Sequence, residues 1–346
     1  MALYIGILIF SFILTSIVMV PFINLLYRLH LTYTSPITPI APEESKEYSQ
    51  LHASQPWKIG TPIGGGALII FMVSMLYVIL FQVLSRWGVP ITTVYQAKEE
   101  LNILFFTFIS FALLGLYDDI VKIFNLGKLT GSSRIWPDRK TFLIFLLSTF
   151  IALMMHLNLD ISIIYIPTLG VINFGWLYVP LAGAIIAGFC KAFDITDGMD
   201  GLASGILIIS LISFWAISLT SLDTVISLFI ALFIGSLLSF LYFNVYPARI
   251  WLGNAGSLSF GATLAVIGLL LGKTFPLMLV GSVFLIEAGS QIIQVLSLLF
   301  FKKKVFSVTP VHYWLQSHGW AEPKVVMRFW LISIFMAILG LWFATI

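Results

Sequence analysis

Ten apolar stretches, each close to twenty residues long, run through this chain from end to end, and they fix its solvent before anything else. About 20 apolar residues in a helix cross the hydrocarbon core of a bilayer. In lipid every backbone polar group must be satisfied internally, so repeated stretches of this length specify a bundle of membrane helices. They cover 2–24, 65–84, 101–117, 141–158, 175–193, 201–219, 223–243, 256–272, 275–300 and 325–345. The ninth is long enough to tilt or break. Composition agrees: of 346 residues, 60% are hydrophobic and 10% charged, against roughly 25% charged in a soluble domain. The expected fold is all-α, a single domain over 1–346, a polytopic integral membrane protein of about ten transmembrane helices. The first span lacks the cleavage pattern of a signal peptide and reads as a retained helix. A net charge of +3 implies no nucleic acid, and the single Cys190 excludes an intrachain disulfide.

The cations set the orientation. Of eighteen Lys and Arg, fifteen lie in or beside the odd-numbered loops, among them Arg28, Lys46, Lys58, Lys122, Lys128, Arg134, Arg139, Lys140, Lys191 and Arg249. Only Arg86, Lys98 and Lys273 fall on the other side. Because cytoplasmic loops carry the excess of Lys and Arg, the odd loops are expected inside and both termini outside.

The acids are few enough to weigh one by one. Glu43, Glu44, Glu47, Glu99, Glu100, Asp138, Asp160 and Asp223 read as solvated loop residues. Asp118 and Asp119 instead close the third span, where a helix C-terminus disfavours negative charge and a compensating cation is needed. Paired carboxylates at such a boundary suit Mg²⁺, a hard ion that bridges to phosphate. The fifth loop brings Asp194, Asp197 and Asp200 at three-residue spacing, with Gly198 and Gly201 breaking regular helix. This spacing lacks the alternating ligands and terminal Glu of a calcium-binding loop. Asn244 and Trp251-Leu252-Gly253-Asn254-Ala255-Gly256-Ser257 follow in the seventh loop, where glycines can present amides to phosphate or simply pack helices. Glu287 is an acid inside the ninth span, functional or bonded to a neighbouring helix. His312 lies beside aromatics, a setting that anchors an interface as readily as it performs chemistry. Lys58 and Thr61 precede the triplet Gly64-Gly65-Gly66. Acids, glycines and most cations thus gather on the expected cytoplasmic face, the footprint of a site for a phosphorylated substrate beside lipid.

Over residues 52–346 the chain resembles the phospho-N-acetylmuramoyl-pentapeptide transferases, the MraY type of the polyprenyl-phosphate N-acetylhexosamine-1-phosphate transferases. The resemblance rests on Gly60-Thr61-Pro62, Asp118-Asp119 with Lys122, Thr196-Asp197-Gly198-Met199-Asp200-Gly201-Leu202-Ala203, Asn244-Val245-Tyr246-Pro247-Ala248, Gly256-Ser257-Leu258 and the tail from Gly319 to Trp330. It implies a multi-pass protein of the bacterial cytoplasmic (inner) membrane, a homodimer, and Mg²⁺. The implied reaction moves phospho-MurNAc-pentapeptide from UDP-MurNAc-pentapeptide to undecaprenyl phosphate, giving lipid I and UMP. It also implies roles: Asp118, Asp119, Asp197 and His312 in catalysis, with Asp118 as base toward the lipid phosphate, and Asp118, Asp119 and Asn254 on the metal. Lys58, Thr61, Lys122, Asp194, Asp200, Asn244, Trp251 and Glu287 are implied on the substrates, with an apolar groove near Glu287 for the prenyl chain.

Three motifs depart from the family. Its Gly-Asp-x-Gly-Ser stands here with Asn254 for the acid, its His-His-His is His312-Tyr313-Trp314, and Asp194 replaces an Asn. An amide carbonyl ligates Mg²⁺ without contributing charge, and Asp194 is placed to restore the charge that Asn254 lacks. Two other readings stay open: a related transferase for another UDP-aminosugar, and a catalytically silent paralogue.

Overall fold

The computed structural model describes residues 1–32, 58–88, 90–124, 139–167 and 170–345. The expectations placed on Glu43, Glu44, Lys46, Glu47, Lys128, Arg134 and Asp138 lie outside those residues. Among the described residues there are twelve α-helices: α1 (Ala2–Arg28), α2 (Gly65–Arg86), α3 (Ala97–Ile123), α4 (Arg139–Leu159), α5 (Tyr178–Thr196), α6 (Leu202–Thr220), α7 (Thr224–Asn244), α8 (Asn254–Leu270), α9 (Thr274–Val280), α10 (Ser282–Phe300), α11 (Val311–Ser317) and α12 (Glu322–Thr345). Nine are long and apolar enough to cross a membrane. The all-α polytopic expectation holds, with one addition: β1 (Ile163–Ile166) pairs antiparallel with β2 (Gly170–Asn173) in the fourth loop.

Two expected spans take a different form. The eighth is α8, 17 residues and thus about 25 Å of helix, buried from Ala255 to Leu270 and packed against α3 and α5. Its hydrophobicity serves protein neighbours instead of lipid, so it need not match the full bilayer. The ninth, long enough to tilt or break, breaks at Gly281 into α9 and α10, and the chain passes close to α5 there, since a methyl on Gly281 would lie 2.2 Å from the Phe189 ring.

The centre of the bundle is aromatic. Phe108 of α3 meets Phe229 and Phe233 of α7 edge-on at 5.2 and 5.3 Å, and Phe233 meets Phe260 of α8 at 4.8 Å. Such edge-to-face pairs favour a defined packing beyond area burial. α1 is held on α7 by polar contacts suited to lipid surroundings. The Ser11 hydroxyl donates to Leu232 O at 2.8 Å and lies 3.0 Å from Ser236 Oγ, and Gly235 lets the two backbones approach.

Glu100 and Asp223 correct the expectation of solvated loop acids. Both are fully buried, 0% and 1% exposed, at the end of the bundle opposite the Asp118 region. Asp223 caps α7, accepting from Ile226 N at 2.9 Å and from Val94 N at 3.3 Å. Glu100 lies close enough to Asp223 for their charges to interact, and neither of its oxygens has a hydrogen-bond partner among the described residues. Two buried carboxyls in contact repel unless they share a proton. Replacing Glu100 with Gln is therefore expected to hold or raise the melting temperature in detergent at pH 8. Asp223→Ala, which strips the helix cap, is expected to lower stability by about 1 kcal/mol.

Candidate active site

Asp118 and Asp119 sit near the C-terminus of α3, and each finds the compensation that position demands by a different route. Asp119 reaches across to the N-terminus of α8, accepting from Asn254 N on Oδ1 and Ala255 N on Oδ2, both at 3.0 Å. A carboxylate at the positive end of one helix offsets its unfavourable place at the negative end of another. The approach needs glycine: a methyl on Gly253 would lie 2.8 Å from Asp119 Oδ2, and one on Gly115 2.0 Å from Asn254 O. Gly253 also holds φ 78°, a left-handed value that glycine adopts without penalty. Asp118 is neutralised by lysines. Its Oδ2 takes Lys122 at 3.0 Å, Lys140 at 3.1 Å and the Asn254 side-chain N–H at 2.8 Å.

Lys140 continues the network. Its ammonium is also 3.2 Å from Asp194 Oδ2, which has Lys191 at 3.7 Å, while Ser257 Oγ donates to Asp194 Oδ1 at 3.1 Å. The charge that Asp194 adds is thus balanced by lysine and coupled to Asp118 through it. Asp197, in the turn after α5, has neither hydrogen bond nor ion pair among the described residues. Burial, together with the carboxylates of Asp194, Asp119 and Asp200, pushes it up to about 7 from an ordinary 3.8.

The next group is braced by protein partners. Asp200 accepts from the Trp251 indole N–H and from Ala248 N, each at 3.0 Å. Asn244 accepts from Gly201 N at 3.1 Å and Ser204 Oγ at 2.9 Å, and donates to Ile250 O at 3.0 Å. Lys58 forms a buried ion pair with Glu322 at 2.8 Å, and the same Glu322 oxygen accepts from Asp200 N at 2.9 Å. Thr61 is buried in the segment that pairs with the seventh loop, where Trp251 N donates to Pro62 O and Gly66 N to Leu252 O. These residues join the starts of α2, α6, α8 and α12 to the end of α7.

Glu287 and His312 form a separate pair, Nδ1 to Oε2 at 2.9 Å, both 0% exposed. An apolar cavity of about 420 Å³ lies between α3 and α4, lined by Leu114, Leu143, Leu146, Leu147 and Phe150. Leu114 is one turn from Asp118 and Leu143 one turn from Lys140, so the cavity adjoins the charged cluster. Among the described residues no three His, Cys, Asp or Glu side chains group as a metal site by themselves.

Lys140 and Glu322 were missed as site residues. Lys140 stood out only as one cation of a basic loop, and Glu322 only within a motif, because neither partner lies near it in sequence.

The glycosyl transferase family 4 model matches residues 101–272, which include every acid from Asp118 to Asp200 and Asn254. The phospho-N-acetylmuramoyl-pentapeptide-transferase of Acetivibrio thermocellus is 33% identical over 289 residues, 82% of this chain and 81% of the relative. That of Pelagibacter ubique is 34% identical over 303 residues, covering 82% and 80%. That of Halalkalibacterium halodurans is 32% identical over 340 residues, covering 97% and 95%.

The Asp197 carboxyl binds its proton more tightly in the fold than in the unfolded chain. Its stabilising contribution is present below about pH 4 and lost as pH rises through about 7. In the absence of divalent ions, Asp197→Asn is expected to melt above the parent protein at pH 8.5. The gap should narrow as pH falls below 7 and close near pH 4 in thermal scans of the two proteins.

Proposed function

We propose that this chain, which belongs to the phospho-N-acetylmuramoyl-pentapeptide-transferase family, transfers phospho-MurNAc-pentapeptide from UDP-MurNAc-pentapeptide to undecaprenyl phosphate, releasing UMP and forming lipid I for peptidoglycan. The observation that carries this reading is the placement of an acid and lysine cluster one helical turn from the lining of an apolar cavity. Asp118, Lys122 and Lys140 suit a phosphate headgroup, and Leu114, Leu143 and Leu147 suit the first units of its prenyl chain.

In the proposed reaction an oxygen of the lipid phosphate attacks the β-phosphorus of the nucleotide, a new P–O bond forms, and the bond to the UMP oxygen breaks. Asp118 takes the proton of the attacking phosphate, and Lys122 and Lys140 hold the phosphate charges in line. Catalysis of this kind is mostly positioning and electrostatic stabilisation. The uridine side falls to the braced group of Lys58, Thr61, Asp200, Asn244 and Trp251.

Mg²⁺ binds through one or two carboxylates plus substrate phosphates and retained water. Oxygens without a protein partner among the described residues suit that need: both of Asp197, Oδ1 of Asp118 and the amide oxygen of Asn254. Bound there, the ion supplies charge neutralisation of the pyrophosphate. The lysine-rich odd loops support a cytoplasmic site in a bacterial inner membrane, with both termini outside. The protein acts as a homodimer in this reading.

The test is UMP release by the purified protein in detergent with both substrates and a Mg²⁺ titration. The parent protein is expected to turn over, and Asn254→Asp to lower the Mg²⁺ requirement by roughly tenfold, since a carboxylate replaces a neutral ligand. Asp118→Asn should lose at least about 100-fold in kcat. Turnover with UDP-GlcNAc but not with the pentapeptide donor would reassign the substrate. Silence of the parent beside an active Asn254→Asp would mark a disabled transferase. Leu143→Trp is expected to raise KM for the lipid phosphate several-fold and leave KM for the nucleotide sugar unchanged, because it fills the cavity without touching the polar cluster.

A further inference from the structure

Behind the Asp197 turn lies a polar group that the reaction as described does not use. His312 and Glu287 are completely buried and joined at 2.9 Å, and since a carboxylate only accepts, the imidazole Nδ1–H donates to it. That bond fixes the ring and leaves Nε2 without a hydrogen-bond partner. Nε2 is closed off from solvent. It abuts Gly198, where a methyl would come within 2.6 Å of it and within 3.0 Å of the Tyr313 hydroxyl. Tyr313 completes the contact, its hydroxyl donating to Gly198 O at 3.0 Å. The other side of this turn is tied by Gly198 N to Thr196 O at 2.8 Å and by Asp200 N to Glu322. Asp197 therefore sits between anchored neighbours while its own carboxylate has no partner among the described residues.

We propose that Glu287, His312 and Tyr313 form a latch on Gly198 that sets the aim of the Asp197 carboxylate, with Glu287 and Tyr313 as positioning residues that act through the turn. A buried ring whose free nitrogen is covered by a glycine has no access to a substrate, so its influence passes through the backbone it holds. The bare Cα of Gly198 lets that ring close on the turn. The latch rests on the reading of Asp197 as a site acid, and it makes a separate claim about what holds that acid in place.

The experiment uses the full chain in detergent, with Glu287→Leu, Glu287→Gln and Tyr313→Phe, read by amide hydrogen exchange over 195–201 and by UMP-release kinetics. Glu287→Leu removes the acceptor that orients the imidazole, and Glu287→Gln keeps one. Exchange in this turn is expected to rise about tenfold in Glu287→Leu and in Tyr313→Phe, to return within about twofold of the parent in Glu287→Gln, and to stay unchanged in α7. kcat should fall about tenfold in the first two with KM for both substrates held, since only the geometry of an acid is altered. Unchanged exchange over 195–201 in Tyr313→Phe overturns the latch, and that variant carries the test if Glu287→Leu does not fold. A turn loosened in these variants, beside a parent protein that never turns over, would sustain the latch and sink the transferase reading.

Discussion

The carboxylate of Asp119 on the first two amides of α8 is the contact on which the rest of the site depends. It joins the end of one helix to the beginning of another, so that two dipole ends of opposite sign meet at a single buried side chain. Everything nearby follows from that junction. Asp118 is carried next to the Asn254 side chain, and Gly115 and Gly253 are required where the backbones come together. α8 can then be short, because its start is set by Asp119 and its length is enclosed by protein.

Charge balance explains why so many acids coexist at a membrane boundary. Asp118 and Asp194 share the Lys140 ammonium, and Lys122 and Lys191 supply further positive charge at the edge. Asp119 is satisfied by amides and Asp200 by an indole and an amide. Of the acids in this cluster, Asp197 alone stands without a partner among the described residues, and that asymmetry marks it as the acid with capacity left for something outside the chain.

Much of this was legible in the sequence because it is written in strong, local signals. Apolar runs of span length and a lopsided distribution of Lys and Arg do not depend on long-range contacts, and the acids had to be explained because charge is costly where they lie. What could not be read was pairing. Lys58 with Glu322 and Asp119 with Asn254 are joined across hundreds of residues or over a hundred, and one sequence carries no trace of which partner each chose. Burial was the other blind spot. Glu100 looks like a loop acid until α3 is seen to begin beneath the Asp223 turn, and the bond between Glu287 and His312 joins side chains that nothing in the sequence pairs. The short α8 was hidden for a related reason, since hydropathy does not distinguish a helix wrapped in lipid from one wrapped in protein; a break in the ninth span was legible from its length, its place at Gly281 was not.

The most direct measurement is amide hydrogen exchange over 252–257 in the full-length protein, comparing the parent with Asp119→Ala. The account expects protection to be lost in the first turn of α8 while α3 and α7 keep theirs, because two amides lose their acceptor and the helices stay packed. Unaltered protection at Asn254 and Ala255 in Asp119→Ala would contradict it, and the site would then have to be organised from some other contact.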